Sequence, residues 1–257
     1  MRIEKLGEGN PEFAVVGSIH GDEPCGKMAI EKFLESNIEV LKPVKFVIAN
    51  EKALKQNERY TEVDLNRSFP GDAESDKYEE RLAAKLMDEL EGLNILDMHS
   101  TKSSGDIFAA HSYLDEERME MVRKTGAEIV SYHAESNVNS MDEYLNAVPV
   151  ECGFQGSEQA RKQAYEVLLN FLAANGIIDR DYDISDPDIF QIYGTVEKPE
   201  YRFTAENFKL VKKGDVYATN GEKELKAEER FYPVLMSTNG YDDILGRKAK
   251  KVEEPNF

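Results

Sequence analysis

The chain has 257 residues, with 32 Lys or Arg against 50 Asp or Glu, a formal net charge of −18, and 40% hydrophobic residues. This is a globular composition whose length fits one large domain, alone or with a small companion. The acid surplus excludes nucleic acid and anionic lipid, which are bound through clustered Lys and Arg, but it leaves the sign of an active site open.

No stretch approaches the roughly 20 apolar residues that span a bilayer. The polar start MRIEKLGEGN has no apolar core of a secretory signal. Cys25 and Cys152 are too few for a disulfide framework, so a reducing cytoplasm is the expected compartment.

The first half alternates apolar and amphipathic runs, the pattern of βα units around a mostly parallel sheet. Phe13–Ile19 is short, rich in β-branched residues and uncharged until His20, as a buried strand requires. It leads into Gly21-Asp22-Glu23-Pro24, where Pro24 suits the first turn of a helix running to about Leu34. Val44–Ala49 is a second strand, and Glu51–Gly71 reads as a long irregular stretch of the kind that carries function. Asp76–Leu90 is an amphipathic helix and Leu93–Met98 a third strand.

Leu114–Lys124 then reads as helix, and Ala127–Ser131 and Ala147–Glu151 as strands. Pro149 cannot donate to a ladder, which predicts an edge strand or a neighbouring bulge. Gln159–Ala174 is a helix closed by Asn175-Gly176. Past Asp179 a polar, proline-containing connector separates this region from short β-type runs at Gln191–Val196, Lys209–Val211, Asp215–Ala218 and Tyr232–Met236. Their turn signals are Lys213-Gly214, Asn220-Gly221 and Asn239-Gly240. The expected organisation is a catalytic α/β domain over residues 1–185 and a small antiparallel β domain over 186–257.

Two of the four histidines stand just past an apolar strand, His20 after Phe13–Ile19 and His99 after Leu93–Met98, while Glu151 ends the strand from Ala147. Ligands of open α/β sheets gather at the carboxyl ends of the strands, so these three groups converge if the strands are parallel neighbours. His20 and Glu23 form a His-x-x-Glu pair at a strand-to-helix turn. With a distant third histidine this is the ligand set of catalytic zinc, which leaves a fourth position to water. Singly, His20 reads as a helix-capping turn residue and His99 as an ordinary strand-end residue; jointly, the metal site is the better account.

Asp97, two residues before His99 on the same sheet face, is either the carboxylate that orients it or a loop anchor. Glu151 is either an ordinary edge glutamate, the reading preferred for it alone, or, beside a metal-bound water, a general base that later acts as acid to a leaving amine. In the irregular stretch, Arg59, Asn66 and Arg67 either form a local pocket for an anionic substrate or pair with the surplus carboxylates, and composition favours the pairing. The side chain of Asp64 can hold the loop through backbone bonds. Cys25 and Cys152 read as buried structural thiols rather than soft ligands. His111 and His133 show no partner spacing and read as structural or surface residues.

The series His20-Gly-Asp-Glu23-Pro, Arg59-Tyr60, Asp64-Leu-Asn66-Arg67, Asp97-Met-His99 and Val150-Glu151-Cys-Gly153 resembles the succinylglutamate desuccinylase/aspartoacylase family, within the zinc carboxypeptidase-like group. The resemblance covers roughly residues 13–153. It implies a mixed, mostly parallel sheet flanked by helices with a small C-terminal β domain. It further implies a deacylase that removes the acyl group from a small N-acyl amino acid by metal-activated water. His20, Glu23 and His99 would hold one Zn2+ per chain, and Glu151 would transfer the proton. Arg59 would polarise the scissile carbonyl, and Asn66 with Arg67 would grip the α-carboxylate.

Two features depart from the family. The stretch Ser136–Leu145, where aspartoacylase has a tyrosine and an arginine for a second substrate carboxylate, has no Arg and carries Asp142 and Glu143. That argues against strict specificity for N-acetylaspartate or succinylglutamate, and the two acids would select against a second anionic group. The tyrosine that the family supplies from its C-terminal domain is matched only loosely, by Tyr232 or Tyr217. A zinc carboxypeptidase acting on peptides and a non-catalytic binding protein with a retained pocket are the rival readings.

Overall fold

In the computed structural model, which describes residues 1–133, 138–198, 200–238 and 240–253, the chain opens with β1 (Arg2–Leu6), β2 (Phe13–Gly17), α1 (Cys25–Leu34), β3 (Val44–Ile48) and α2 (Glu51–Gln56). A single 3-10 turn at Leu65–Arg67 precedes α3 (Tyr78–Leu90), β4 (Asn94–Thr101), β5 (Ile107–His111), α4 (Glu116–Thr125) and β6 (Ile129–His133). Then come α5 (Met141–Tyr144), β7 (Ala147–Phe154), α6 (Glu158–Ala174) and β8 (Asp188–Val196). The last elements are β9 (Arg202–Phe203), β10 (Val216–Thr219), β11 (Glu224–Lys226), β12 (Tyr232–Val234) and β13 (Gly246–Val252).

Ten strands make one sheet in the order β1-β3-β2-β4-β7-β5-β6-β8-β13-β12, and β11-β10-β9 form a small antiparallel sheet. The core of the large sheet is parallel, with β2 beside both β3 and β4 and β4 beside β7. Both faces are covered, which is why these strands read as continuous apolar runs rather than alternating ones. Val15, Phe46, Leu96, Val148 and Val150 pack under α1, α4 and α6. Their sequence neighbours Ala14, Val16, Val47, Ile95 and Ala147 point the other way, onto α3, Leu65 and Phe69. The fold is the expected helix-flanked, mostly parallel sheet with a small antiparallel sheet near its C-terminal end.

Several local expectations are corrected. The stretch from Glu51 is not irregular throughout: Asn50 accepts from the Ala53 amide at 3.1 Å and starts a short helix. β7 is an interior strand, not an edge, but the expected bulge is present, starting just after Glu151 in its ladder with β4; its pairing with β5 begins at Val150, one residue past Pro149, so the missing donor falls where that ladder ends. The run Lys209–Val211 makes only one isolated bridge, Val211 to Phe231. The basic strand β13, Gly246-Arg-Lys-Ala-Lys-Lys-Val252, has no apolar alternation to announce it. The expected Asn239-Gly240 turn and the Ser136–Asn137 start of the arginine-free stretch lie partly outside the described residues.

The tail is divided: β9, β10 and β11 form the small sheet, and the other tail strands join the large one. β8 pairs with β6, and β13 and β12 extend the same ladder. Phe108 of β5 packs against Phe208 with ring centroids 4.9 Å apart, so one apolar cluster is shared between the two regions.

Candidate active site

The carboxyl end of β2 is shaped by backbone more than by side chains. Ser18 adopts the left-handed conformation (φ 58°), turning the chain out of the sheet. Gly21 sits so close to α2 that a Cβ there would overlap the Ala53–Leu54 peptide. Gly21→Ala is therefore expected to cost about 1–3 kcal/mol and to lower metal content, measured by thermal melting and metal analysis. Glu23 N–H donates to the His20 carbonyl at 3.3 Å, closing the turn. Because Gly17 is in register with Met98, the turn lies beside His99 of β4.

Glu23 is the centre of the cluster. Its Oε1 lies 2.9 Å from His20 Nδ1 and its Oε2 3.0 Å from His99 Nδ1. One donor atom from each of the three residues falls within 4.8 Å of the others. The remaining ring nitrogens are also taken: His20 Nε2 lies 3.1 Å from Asp64 Oδ1, and His99 Nε2 2.8 Å from Asp97 Oδ2. Asp97 is thus the carboxylate that orients His99. Asp64 does more than anchor its loop; besides capping the Asn66 amide at 2.9 Å it orients His20.

All three central side chains are buried. Burial raises the Glu23 carboxyl, but the imidazoles of His20 and His99 overcome it and hold the group well below its usual range. Burial likewise lowers His99, yet Asp97 and Glu23 bring it well above the usual imidazole value; His20 is raised by Glu23 and Asp64 in the same way. Two imidazole nitrogens and one carboxylate, each imidazole backed by a second carboxylate, fit a divalent metal of the zinc type.

Glu151 stands directly opposite His99, because β4 and β7 pair His99 with Glu151 before a bulge that sets Thr101 opposite Phe154. Gly153, at φ +103°, supplies the bend. Glu151 Oε2 is buried without a hydrogen-bond partner. Burial and the charge of Glu23 push its carboxyl up to about 7, against the pull of His99, His20 and Arg59.

A carboxyl raised in this way from 4.5 to about 7 weighs on the folded state only where it is forced to ionise. The penalty is absent below pH 4.5, grows between the two values and is complete above 7. In the metal-free protein, Glu151→Gln is therefore expected to raise the melting temperature at pH 8 by roughly 4–8 °C, for about 2 kcal/mol, and to change little at pH 4.5. An equal shift at both pH values would contradict this.

A cavity of about 740 Å³ opens beside the cluster, and Arg59, Asn66, Arg67 and Glu151 all line it. Arg59 Nε donates to Asp64 Oδ2 at 3.0 Å and its Nη1 to Glu23 Oε1 at 3.2 Å. The pairing favoured by composition therefore holds for Arg59. It does not hold for Arg67, whose Nη1 donates to the Asn66 carbonyl at 2.6 Å and which has no ion pair among the described residues. Asn66 Oδ1 accepts from the Met141 amide at 3.0 Å.

The profile of the succinylglutamate desuccinylase/aspartoacylase catalytic domain matches residues 10–172. The chain belongs to that family. Members of the family are hydrolases acting on N-acyl amino acids. A protein of Acaryochloris marina named "Probable aspartoacylase" is 32% identical over 105 residues, a match that spans 36% of this chain and 36% of that protein. The succinylglutamate desuccinylase of a Shewanella species is 22% identical over 260 residues, covering 84% of this chain and 75% of that one. The crystal structure of a succinylglutamate desuccinylase/aspartoacylase from Rhodobacter sphaeroides superposes with a TM-score of 0.79 at 18% identity, over 98% of this chain and 89% of that one.

As a member of the succinylglutamate desuccinylase/aspartoacylase family, the chain presents four cavity residues that its sequence did not single out. His111 and His133, expected to be structural or at the surface, both line the cavity; neither ring nitrogen of the buried His111 makes a hydrogen bond among the described residues, and its Nδ1 lies 3.7 Å from Asp142 Oδ2. Each ends a strand, much as His20 and His99 each follow an apolar run, and that shared position was the available signal. The tyrosine at the cavity is Tyr241, whose hydroxyl is pushed up to about 12 by burial and by Glu151. Tyr217 packs on Phe231 and Tyr232 on Phe190, and neither lines the cavity.

The fourth residue is Arg247 of β13, which donates to Thr195 Oγ1 at 2.5 Å and has no ion pair among the described residues. Asp142 lines the cavity, whereas Glu143 turns away to accept the Val138 and Asn139 amides. The cysteines are buried and stay out of the metal cluster; Cys25 Sγ donates to the His99 carbonyl at 3.2 Å.

Proposed function

We propose that this protein is a zinc-dependent amidohydrolase that releases the acyl group from an N-acyl amino acid. The observation that carries the proposal is the buried His20–Glu23–His99 cluster facing the partnerless Glu151 Oε2 across adjacent strands. His20, Glu23 and His99 would hold the zinc, which when bound supplies a Lewis acid and lowers the pKa of water.

Glu151 takes the proton from the attacking water and returns it to the leaving amine nitrogen; a carboxyl held near neutrality suits both steps. Arg59 donates to the amide oxygen as negative charge grows there; Asp64 and Glu23 engage its Nε and Nη1 and leave Nη2 to do so. Arg67, which has no ion pair among the described residues, takes the substrate α-carboxylate, and Asn66 adds a side-chain amide donor. These residues lie in the 10–172 region that carries the family match.

Arg247 bears on which amino acid is taken. It stands in the cavity with no ion pair among the described residues, whereas the sequence suggests that Asp142 would select against a second anion. Arg247→Ala is expected to lower kcat/KM about tenfold for N-acetylaspartate and N-acetylglutamate and to leave N-acetylleucine nearly unchanged. Equal losses on all three substrates would remove it from specificity.

The deciding experiment is metal analysis joined to a deacylation screen over N-acyl amino acids, with and without chelator. Dipeptides in the same screen test carboxypeptidase action. Tight ligand binding without turnover of any amide would make the protein a sensor rather than an enzyme.

A further inference from the structure

Arg59 and Asp64 sit on the segment between α2 and the 3-10 turn, which has no strand ladder or helix to hold it. The carboxylate of Glu79, in the first turn of α3, does so instead. It is fully buried, and its Oε1 accepts from the Thr61 amide at 2.7 Å, from Thr61 Oγ1 at 2.8 Å and from Asn50 Nδ2 at 3.3 Å. Its Oε2 accepts from the amides of Glu62 at 3.1 Å and Val63 at 3.3 Å.

Three successive peptide N–H groups converge on one carboxylate with no cation paired to it among the described residues. These bonds, with the first turn of α3, keep the group ionised: burial raises its carboxyl, and the contacts from Thr61, Asn50 and Val63 bring it below the usual range.

The consequence lies at the two ends of the clamped residues 61–63. Arg59 is two residues before them and Asp64 one after, and these two side chains meet each other at 3.0 Å while reaching Glu23 and His20. The Arg59 carbonyl is in turn bound by the Gly21 amide at 3.2 Å, tying the loop to the His20–Glu23 turn. We infer that Glu79 is a positioning residue that sets Arg59 over the amide bond to be cleaved, acting on the reaction only through that loop. The inference rests on the deacylase reading for its kinetic arm and on the loop geometry alone for its structural arm.

The test is a double-mutant cycle with Glu79→Gln and Arg59→Ala in the metal-loaded protein, together with native-state hydrogen exchange at Thr61, Glu62 and Val63. Glutamine keeps the volume but puts an amide NH2 where an acceptor oxygen stood, facing donors it cannot bind. With Zn2+ kept saturating, so that any weakening through Asp64 and His20 is offset, Glu79→Gln alone is expected to lower kcat about tenfold to a hundredfold with KM changed little. In the Arg59→Ala background it should cost under about threefold more, since the group it acts through is gone.

The exchange of the three amides should quicken in Glu79→Gln and stay slow in Arg59→Ala. Full additivity of the two kinetic losses, or unaltered exchange in Glu79→Gln, would overturn the inference. If no N-acyl amino acid is hydrolysed by the wild type, the deacylase reading fails, and the exchange data still decide whether Glu79 holds the loop.

Discussion

Glu151→Gln is expected to lower kcat by about 10²–10⁴-fold while the protein keeps its full complement of metal. The glutamine fills the same place opposite His99 but can neither accept the water proton nor return one to the amine. Its loss should therefore fall on kcat rather than on KM. The residue lies outside the His20–Glu23–His99 donor set, so metal content separates loss of proton transfer from loss of the centre. Near-normal turnover in a metal-replete variant would remove Glu151 from the reaction. The partnerless Oε2 argues the same way, since a buried carboxylate oxygen without a donor is costly and persists where the chemistry uses it.

The second large effect is expected from the metal centre. His99→Ala should abolish stoichiometric metal binding and reduce turnover by about 10³-fold or more, equivalent to the several kcal/mol a Lewis acid contributes. Exhaustive chelation of the wild type should do the same, and added Zn2+ should restore only the wild type. Asp97→Asn, which leaves the ligands in place but takes the carboxylate from His99 Nε2, should weaken metal affinity about 10–100-fold.

Acid should act on this centre in a definite direction. In the metal-free protein both imidazoles titrate above their ordinary value, so protons occupy the site at pH 6 and must leave as metal enters. Metal affinity should fall steadily as pH drops through that range, as read by a competitive chelator titration. An affinity independent of pH between 8 and 6 would contradict the carboxylate-supported imidazoles, and metal that survives in His99→Ala would place it elsewhere.

Much of the site was legible because its residues sit where strand patterns end. His20, Glu23, His99 and Glu151 each follow or close an apolar run, and parallel order alone puts the carboxyl ends of β2, β4 and β7 side by side. Arg59, Asn66 and Arg67 were visible as cations and an amide in a stretch too long for a plain connection, although the helix at Glu51–Gln56 inside it was not. Its only signal was Asn50, a capping residue with no apolar period behind it.

Other features left no mark on the pattern. Strand β13 is mostly basic and is recruited by pairing with β8 through backbone bonds, which any side chain permits, so no hydropathy reading finds Arg247. Tyr241 comes from the loop leading into that strand, and no element period passes through it. Glu79 sits at the start of an amphipathic helix among other acids, and only the packing of α3 against the loop distinguishes it from a solvated one.

From its order of residues alone, the chain determined the apolar parallel strands β2, β3, β4 and β7, the long helices α1, α3, α4 and α6, and the identity of the groups able to bind a metal or move a proton. These are local properties of hydrophobic period, turn chemistry and side-chain type. Tertiary structure decided which reading each charged group took: Arg59 paired and Arg67 without an ion pair among the described residues, Asp64 backing His20, Asp142 in the cavity and Glu143 outside it. Those outcomes depend on distances of a few ångströms between residues dozens of positions apart, and only the folded packing of sheet, helices and loops sets them.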